Sequence, residues 1–248
     1  MMPDELRERF ELYGRLDQHR RRVKQARDIV ARALDTCGNW YVAFSGGKDS
    51  TCVLTLVREQ APRTVAACSV PEFTLPETAA YLENVPNLER VASGSDHETG
   101  WAVNWAGPED VPAHIRWIGA RGSTLPNYGL ALSNVFLGLR EEESSARSAH
   151  LRSQGVLFFS KKGQGWHCSP LAKWTVEDVW AYILGEGLDY NHAYDRMSEI
   201  GVPLEQQRIG PFAVDRVLGY GPLAILKRGW PDVFNAYAAL YPEARQFV

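Results

Sequence analysis

Apolar residues recur at helical spacing through the start of the chain: Leu6, Phe10, Tyr13 and Leu16, then Val23, Ala26, Val30 and Leu34. That period predicts one long amphipathic helix, or two, laid on the rest of the domain. The pattern then switches to a continuous β-prone run, Trp40-Tyr41-Val42-Ala43-Phe44, followed by a glycine turn and a helix-like stretch from Thr51 to Val57. Thr64 to Cys68 reads as a short buried strand. Leu75 to Val85 reads as a helix with Pro76 and Glu77 in its first turn, where a missing N–H costs nothing and a carboxylate suits the helix dipole. Leu88 to Ala92 reads as a third strand and Asn134 to Leu139 as a fourth, the latter running into a helix over Glu141 to Ser153. A further helix opens after Thr175, a predicted N-cap whose partner three residues on is Asp178.

Strands alternating with helices predict an α/β fold: a parallel twisted sheet with helices on both faces, and ligands at the C-terminal strand ends. Three parts are expected: a basic helix over residues 1–36, the α/β domain over 37–190, and a helical extension over 191–248. Between Asp96 and Tyr128 the periodicity breaks into Gly, Pro, Trp and Asn, a stretch long enough to cover a site.

Composition narrows the class. Apolar residues make up 45% and charged residues 23% of the 248, ordinary globular usage that permits a sizeable core. No apolar run reaches the roughly 20 residues of a membrane span, and Met1-Met2-Pro3-Asp4-Glu5 is not a signal-peptide start, so a cytoplasmic location is expected. Cys37, Cys52, Cys68 and Cys168 are scattered with no paired spacing. Reduced thiols, rather than a zinc site or an iron–sulfur cluster, are expected. The net charge of −3 gives no global basic field. Arg20, Arg21, Arg22, Lys24 and Arg27 nevertheless crowd the N-terminal segment, a face suited to solvent, an acidic partner or a nucleic-acid backbone.

The chemistry concentrates at Ser45-Gly46-Gly47-Lys48-Asp49-Ser50. A strand feeding a glycine turn that opens a helix cradles phosphate, because backbone N–H groups and the positive helix end face the anion. Glycines let the backbone approach closely, the two serines add hydroxyl donors and Lys48 adds a point charge. Asp49 is a candidate helix cap or Mg²⁺ ligand. The Walker loop is excluded, since Val42 stands where its first glycine belongs and Asp49 follows the lysine.

This hexapeptide resembles the Ser-Gly-Gly-x-Asp-Ser loop of the PP-loop ATP pyrophosphatases, which cut ATP between the α and β phosphates. Further segments are similar to those of the phosphoadenosine phosphosulfate (PAPS) reductase family: Pro76-Glu77-Thr78; Gly138-Leu139-Arg140 through Glu143, Ser144 and Arg147; Trp174-Thr175 with Asp178-Val179-Trp180; and Gly187-Leu188-Asp189-Tyr190, where Asn191 and His192 alter the pattern. The resemblance runs from about Trp40 to His192. It implies an adenine nucleotide alpha hydrolase-like fold and Mg·ATP as ligand. The implied ATP contacts are Ser45 to Ser50, the backbone near Ser69 and Val70, Gly138 and Arg140. Lys48, Asp49, Arg140 and Arg147 are the implied catalytic set, with Asp49 and Glu143 as Mg²⁺ ligands. Trp174 and Trp180 are expected to be core anchors.

Departures from the family matter as much. Its reductases carry a C-terminal Glu-Cys-Gly-x-His-type segment whose thiolate attacks sulfur, and nothing after Cys168 is a cysteine here. Relatives with an iron–sulfur cluster carry paired cysteines where this chain reads Arg208 to Phe212. Three settings follow from the resemblance. The first is adenylylation of an acceptor for sulfur insertion into nucleic acid (DNA phosphorothioation), beside a cysteine desulfurase and other sulfur-modification subunits. The second is sulfonucleotide reduction. The third, from a different class, is an ATP-binding regulatory subunit of a multiprotein complex, oligomers included, with little turnover.

Overall fold

The protein, seen in a computed structural model, is described for residues 2–70, 74–92, 123–124, 131–132, 134–161, 165–209, 220–240 and 242–248. The N-terminal period resolves into two helices, α1 (Asp4–Gly14) and α2 (Asp17–Thr36), broken at Arg15 and Leu16. The alternating part follows: β1 (Trp40–Ala43), α3 (Lys48–Gln60), β2 (Val65–Val70), α4 (Pro76–Glu83) and β3 (Leu88–Ala92). Two-residue strands β4 (Ser123–Thr124) and β5 (Ala131–Leu132) pair with each other. Apart from Ser123–Thr124, the Asp96–Tyr128 stretch expected to cover the site lies outside the described residues. Then come β6 (Asn134–Phe136), α5 (Ser145–Gln154), β7 (Leu157–Ser160), β8 (Gly165–Cys168), α6 (Val176–Gly185), α7 (Ala193–Glu199), α8 (Tyr220–Gly229) and α9 (Pro231–Leu240).

The main sheet has the order β3-β2-β1-β6-β8-β7. Every pairing is parallel except β7 with β8, an antiparallel edge hairpin that the apolar pattern did not announce. The chain leaves β1 toward β2 on one side and returns to β6 on the other. The C-terminal ends of β1 and β6 therefore flank a switch point, the crevice where such sheets bind ligands.

One local expectation is corrected. The helix anticipated over Glu141 to Ser153 is a short 3₁₀ turn, Glu141–Glu143, and then α5. Ser144 is extended, with φ −169° and ψ 156°, and its side chain accepts the N–H of Arg147 at 3.2 Å. A hydroxyl that can cap a new helix competes with continuing the old one. The cap at Thr175 forms as anticipated: Thr175 Oγ1 accepts the Asp178 N–H, and Asp178 Oδ2 accepts the Thr175 N–H at 2.8 Å. Among the described residues an apolar cluster joins Phe10, Val30, Val42, Leu56, Phe136, Trp174, Trp180 and Leu223. Both tryptophans are buried, as expected of core anchors.

Candidate functional site

The turn after β1 is held by its own hydroxyls. Ser45 N–H donates to Ser50 Oγ and Gly47 N–H to Ser45 Oγ, each at 3.3 Å, while Ser50 Oγ–H donates to the Gly47 carbonyl at 2.9 Å. Gly46 sits at φ +73°, a conformation a side chain would strain. A Cβ on Gly138, just past β6, would lie 3.2 Å from the Asp49 backbone. Glycine there lets the end of β6 close onto the first turn of α3, whose leading N–H groups have no intrahelical acceptor.

Charged groups surround this turn. Lys48 is buried, its Nζ 3.0 Å from Asp49 Oδ2 and 3.4 Å from the Gln207 carbonyl. Arg140 donates through Nε to Asp49 Oδ1 at 2.6 Å and through Nη1 to Glu142. Burial by itself would push Asp49 up; the neighbouring Lys48 and Arg140 charges overcome it and hold the carboxyl below its usual range. For Lys48 burial pulls down, and Tyr194 and Asp49 together outweigh it, so the ammonium is held above its usual value. Glu143 ties down a second cation: its Oε2 accepts the Arg140 N–H at 3.0 Å and pairs with Arg147 Nη1, while its carbonyl takes Arg208 Nη2 at 3.3 Å.

These groups border a cavity of about 520 Å³. Of the residues anticipated from sequence, Ser45, Gly47, Lys48, Asp49, Ser50, Gly138, Glu143 and Arg147 line it. Gly46 lies behind the turn, its carbonyl bound by Asn191 Nδ2 at 3.1 Å. Arg140 is 4% exposed and absent from the lining, seated beneath Asp49. Ser69 and Val70 end β2, the strand next to β1.

Other wall residues were not singled out from sequence: Tyr194 and Met197 of α7, then Gln206, Arg208 and Ile209, and Pro222 and Ile225 of α8. Sequence signals existed for Tyr194, which follows the altered Asn191-His192, and for Arg208 and Ile209, which stand where relatives with an iron–sulfur cluster carry paired cysteines. No described group of three or more His, Cys, Asp or Glu side chains could hold a metal. All four cysteines lie away from the cavity wall. Burial pushes Cys68 and Cys168 up to about 12 and Cys52 well above the ordinary thiol value, so these are inert protonated core thiols.

A switch-point crevice, a glycine turn on a helix N-terminus and lysine and arginine side chains around one cavity define an α/β protein whose site has the chemistry to receive a polyanion. The class narrows further by comparison. Residues 39–210 match the Phosphoadenosine phosphosulfate reductase domain, and the chain belongs to that family. It is 22% identical over 170 residues to Phosphoadenosine 5'-phosphosulfate reductase of Xanthomonas euvesicatoria pv. vesicatoria (strain 85-10), covering 64% of this chain and 67% of that one. It is 23% identical over 266 residues to the protein named Uncharacterized protein YbdN of Escherichia coli (strain K12), covering 88% of this chain and 64% of that relative's length. The fold resembles PAPS reductase from Candida auris in a phosphate complex, with TM-score 0.50, 16% identity, and 77% of this chain and 90% of that one covered. It also resembles Candida glabrata FMN adenylyltransferase in complex with ATP, with TM-score 0.51, 13% identity, and 77% and 66% covered.

Proposed function

We propose that the protein binds Mg·ATP in this cavity and cleaves it between the α and β phosphates, adenylylating an acceptor and releasing pyrophosphate. The observation that carries the reading is the single cavity onto which the β1–α3 turn, Lys48, Arg147 and Arg208 all open. An acceptor oxygen attacks the α-phosphorus, the bond to the bridging oxygen breaks, and the electron pair leaves with pyrophosphate. Lys48, Arg147, Arg208 and the Asp49 and Ser50 amides in the first turn of α3 stabilise the charge growing on that leaving group. Asp49 and Arg140 hold one another, and Asp49 fixes the Lys48 ammonium. Both Asp49 oxygens are committed to cations, so Glu143 would be the side chain to hold a Mg²⁺ bound with the nucleotide, which would supply further neutralisation of phosphate charge. The structural relative solved with ATP supports an adenine nucleotide as ligand.

The acceptor in this reading is nucleic acid destined for sulfur insertion, with a cysteine desulfurase as sulfur source. With all four cysteines outside the cavity wall, this reading has sulfur supplied by a partner and not by this chain. Incubation with Mg·ATP, with and without DNA, should release pyrophosphate. ADP and orthophosphate as the sole products would sink the assignment, and saturable binding without turnover would point to a nucleotide-sensing subunit.

Family membership favours a second reading, sulfonucleotide reduction, tested by sulfite formation from PAPS with a thiol donor. With every cysteine of this chain outside the wall, the attacking thiol would have to come from another protein. Accordingly, replacing all four cysteines by alanine should leave pyrophosphate release within about threefold of wild type in a folded variant, since buried thiols act as small hydrophobes. Loss of release from a folded variant would reveal a thiol role.

A further inference from the structure

The turn that holds the phosphates in the reading above does not keep its shape unaided. Asn191, buried between α6 and α7, donates through Nδ2 to the Gly46 carbonyl at 3.1 Å and to Thr78 Oγ1 at 2.8 Å, and accepts the Ala193 N–H through Oδ1 at 3.0 Å. Three residues later Tyr194 is buried too. Its hydroxyl accepts the Lys48 N–H at 3.1 Å. Its ring lies 5.4 Å from Lys48 Nζ. A Cβ on Gly47 would stand 3.2 Å from that hydroxyl. Residues far along the chain thus hold the Gly46 carbonyl, crowd Gly47 and bind both the amide and the ammonium of Lys48.

We infer that Asn191 and Tyr194 are positioning residues that set the β1–α3 turn in its anion-receiving shape, through hydrogen bonds to the Gly46 carbonyl and the Lys48 amide. The physical case is one of preorganisation. The Gly46 carbonyl must be kept from turning into a site meant for an anion, and an orphaned first-turn amide such as that of Lys48 needs an acceptor when it is not offered to ligand. Buried side chains supply both at fixed geometry, so the turn does not have to be ordered when the ligand arrives. Lys48 Nζ, beside the Tyr194 ring, reaches the Gln207 carbonyl at 3.4 Å and so ties the turn to the strip that carries Arg208 into the same cavity.

The proposal rests on the anion-site reading, so the test measures binding rather than turnover. Inorganic pyrophosphate and Mg·ATP are titrated calorimetrically into wild type, Tyr194→Phe, Asn191→Ala and Tyr190→Phe. The last is a matched control: it also loses a buried tyrosine hydrogen bond, to Asp195 Oδ1 at 2.8 Å, but that bond is to α7 and not to the turn. Tyr194→Phe and Asn191→Ala should each weaken pyrophosphate binding by about tenfold, a size fitting one lost hydrogen bond plus disorder of the turn. Tyr190→Phe should bind as wild type at a comparable loss in melting temperature. If both turn variants, or the one that folds, bind pyrophosphate as tightly as Tyr190→Phe does, the positioning role is overturned. If wild type binds neither ligand, the anion-site reading fails and this inference with it.

Discussion

Asp49 illustrates how one carboxylate can organise two cations. Its oxygens divide between Lys48 and Arg140, and the alanine variants of the two loop residues should show it: Lys48→Ala and Asp49→Ala should each slow pyrophosphate release by at least about tenfold, roughly 1.4 kcal/mol of transition-state stabilisation. Wild-type rates in both would make the loop merely structural. The pH behaviour follows from the signs. Asp49 is held below its ordinary value of 3.8, so its contribution is complete above that value and is lost as pH falls through its depressed folded value. Lys48 is held above 10.5, so its contribution is complete below that value and is lost as pH rises through its raised folded value. Between about pH 5 and 9 neither group should titrate. An inflection in that window that disappears in Asp49→Asn would contradict this assignment.

At the scale of elements, α2 is fastened to α6 by charge as well as by apolar contact. Asp178 is fully buried, paired with Arg22 and 3.0 Å from His19 Nδ1, and it also caps α6. Burial pushes this carboxyl up, but the hydrogen bonds from His19 and Thr175 and the Arg22 charge prevail and hold it low. Asp178→Ala should cost about 3–5 kcal/mol, since it strands Arg22 and the Thr175 amide, read as a lower midpoint in urea unfolding. Asp178's share of stability is present above its ordinary pKa and lost as pH falls through the lowered one, so the acid limb of the stability curve should flatten in Asp178→Asn. The same pairing bears on the basic face of α2. Arg20 faces Asp17 at 3.9 Å, Lys24 meets Asp28 at 2.9 Å and Arg27 meets Glu59 at 2.7 Å. Cations already paired within the chain release few counterions on meeting DNA. Neutralising Arg20, Lys24 and Arg27 together should therefore leave the log–log salt slope for duplex DNA nearly unchanged. A flattening near the ~2.7 expected of three phosphate contacts would instead make α2 a DNA-binding face.

For the whole molecule, the cavity draws its walls from β1–α3, the β6–α5 connection, α7 and α8, so a ligand there should tie distant parts of the chain together. At about 100 times its dissociation constant, a ligand specific to the folded state adds about 2.7 kcal/mol, which for a chain of this size is a rise of about 5–10 °C in melting temperature. Thermal shift with pyrophosphate and Mg·ATP checks this, and an unmoved midpoint at saturating ligand would remove the cavity as the binding site. Much of this molecule was legible from sequence by itself: the glycine turn between β1 and α3, the strand–helix alternation, the cap at Thr175 and the two core tryptophans. All rest on residues within a few positions of each other or on a simple period, so short-range sterics and hydrogen bonding decide them. The break at Ser144 was local too, but it was hidden because the helical pattern ran through it and only the competing hydroxyl shows why the helix restarts. What only the tertiary structure decided was partnership. Arg140 meets Asp49 across 91 positions, Tyr194 meets Lys48 across 146 and Gln207 meets Lys48 across 159. Sequence names the groups able to make such contacts, but the order of the strands about the switch point chooses which of them meet, because a parallel sheet brings chain-distant strand ends together at one edge.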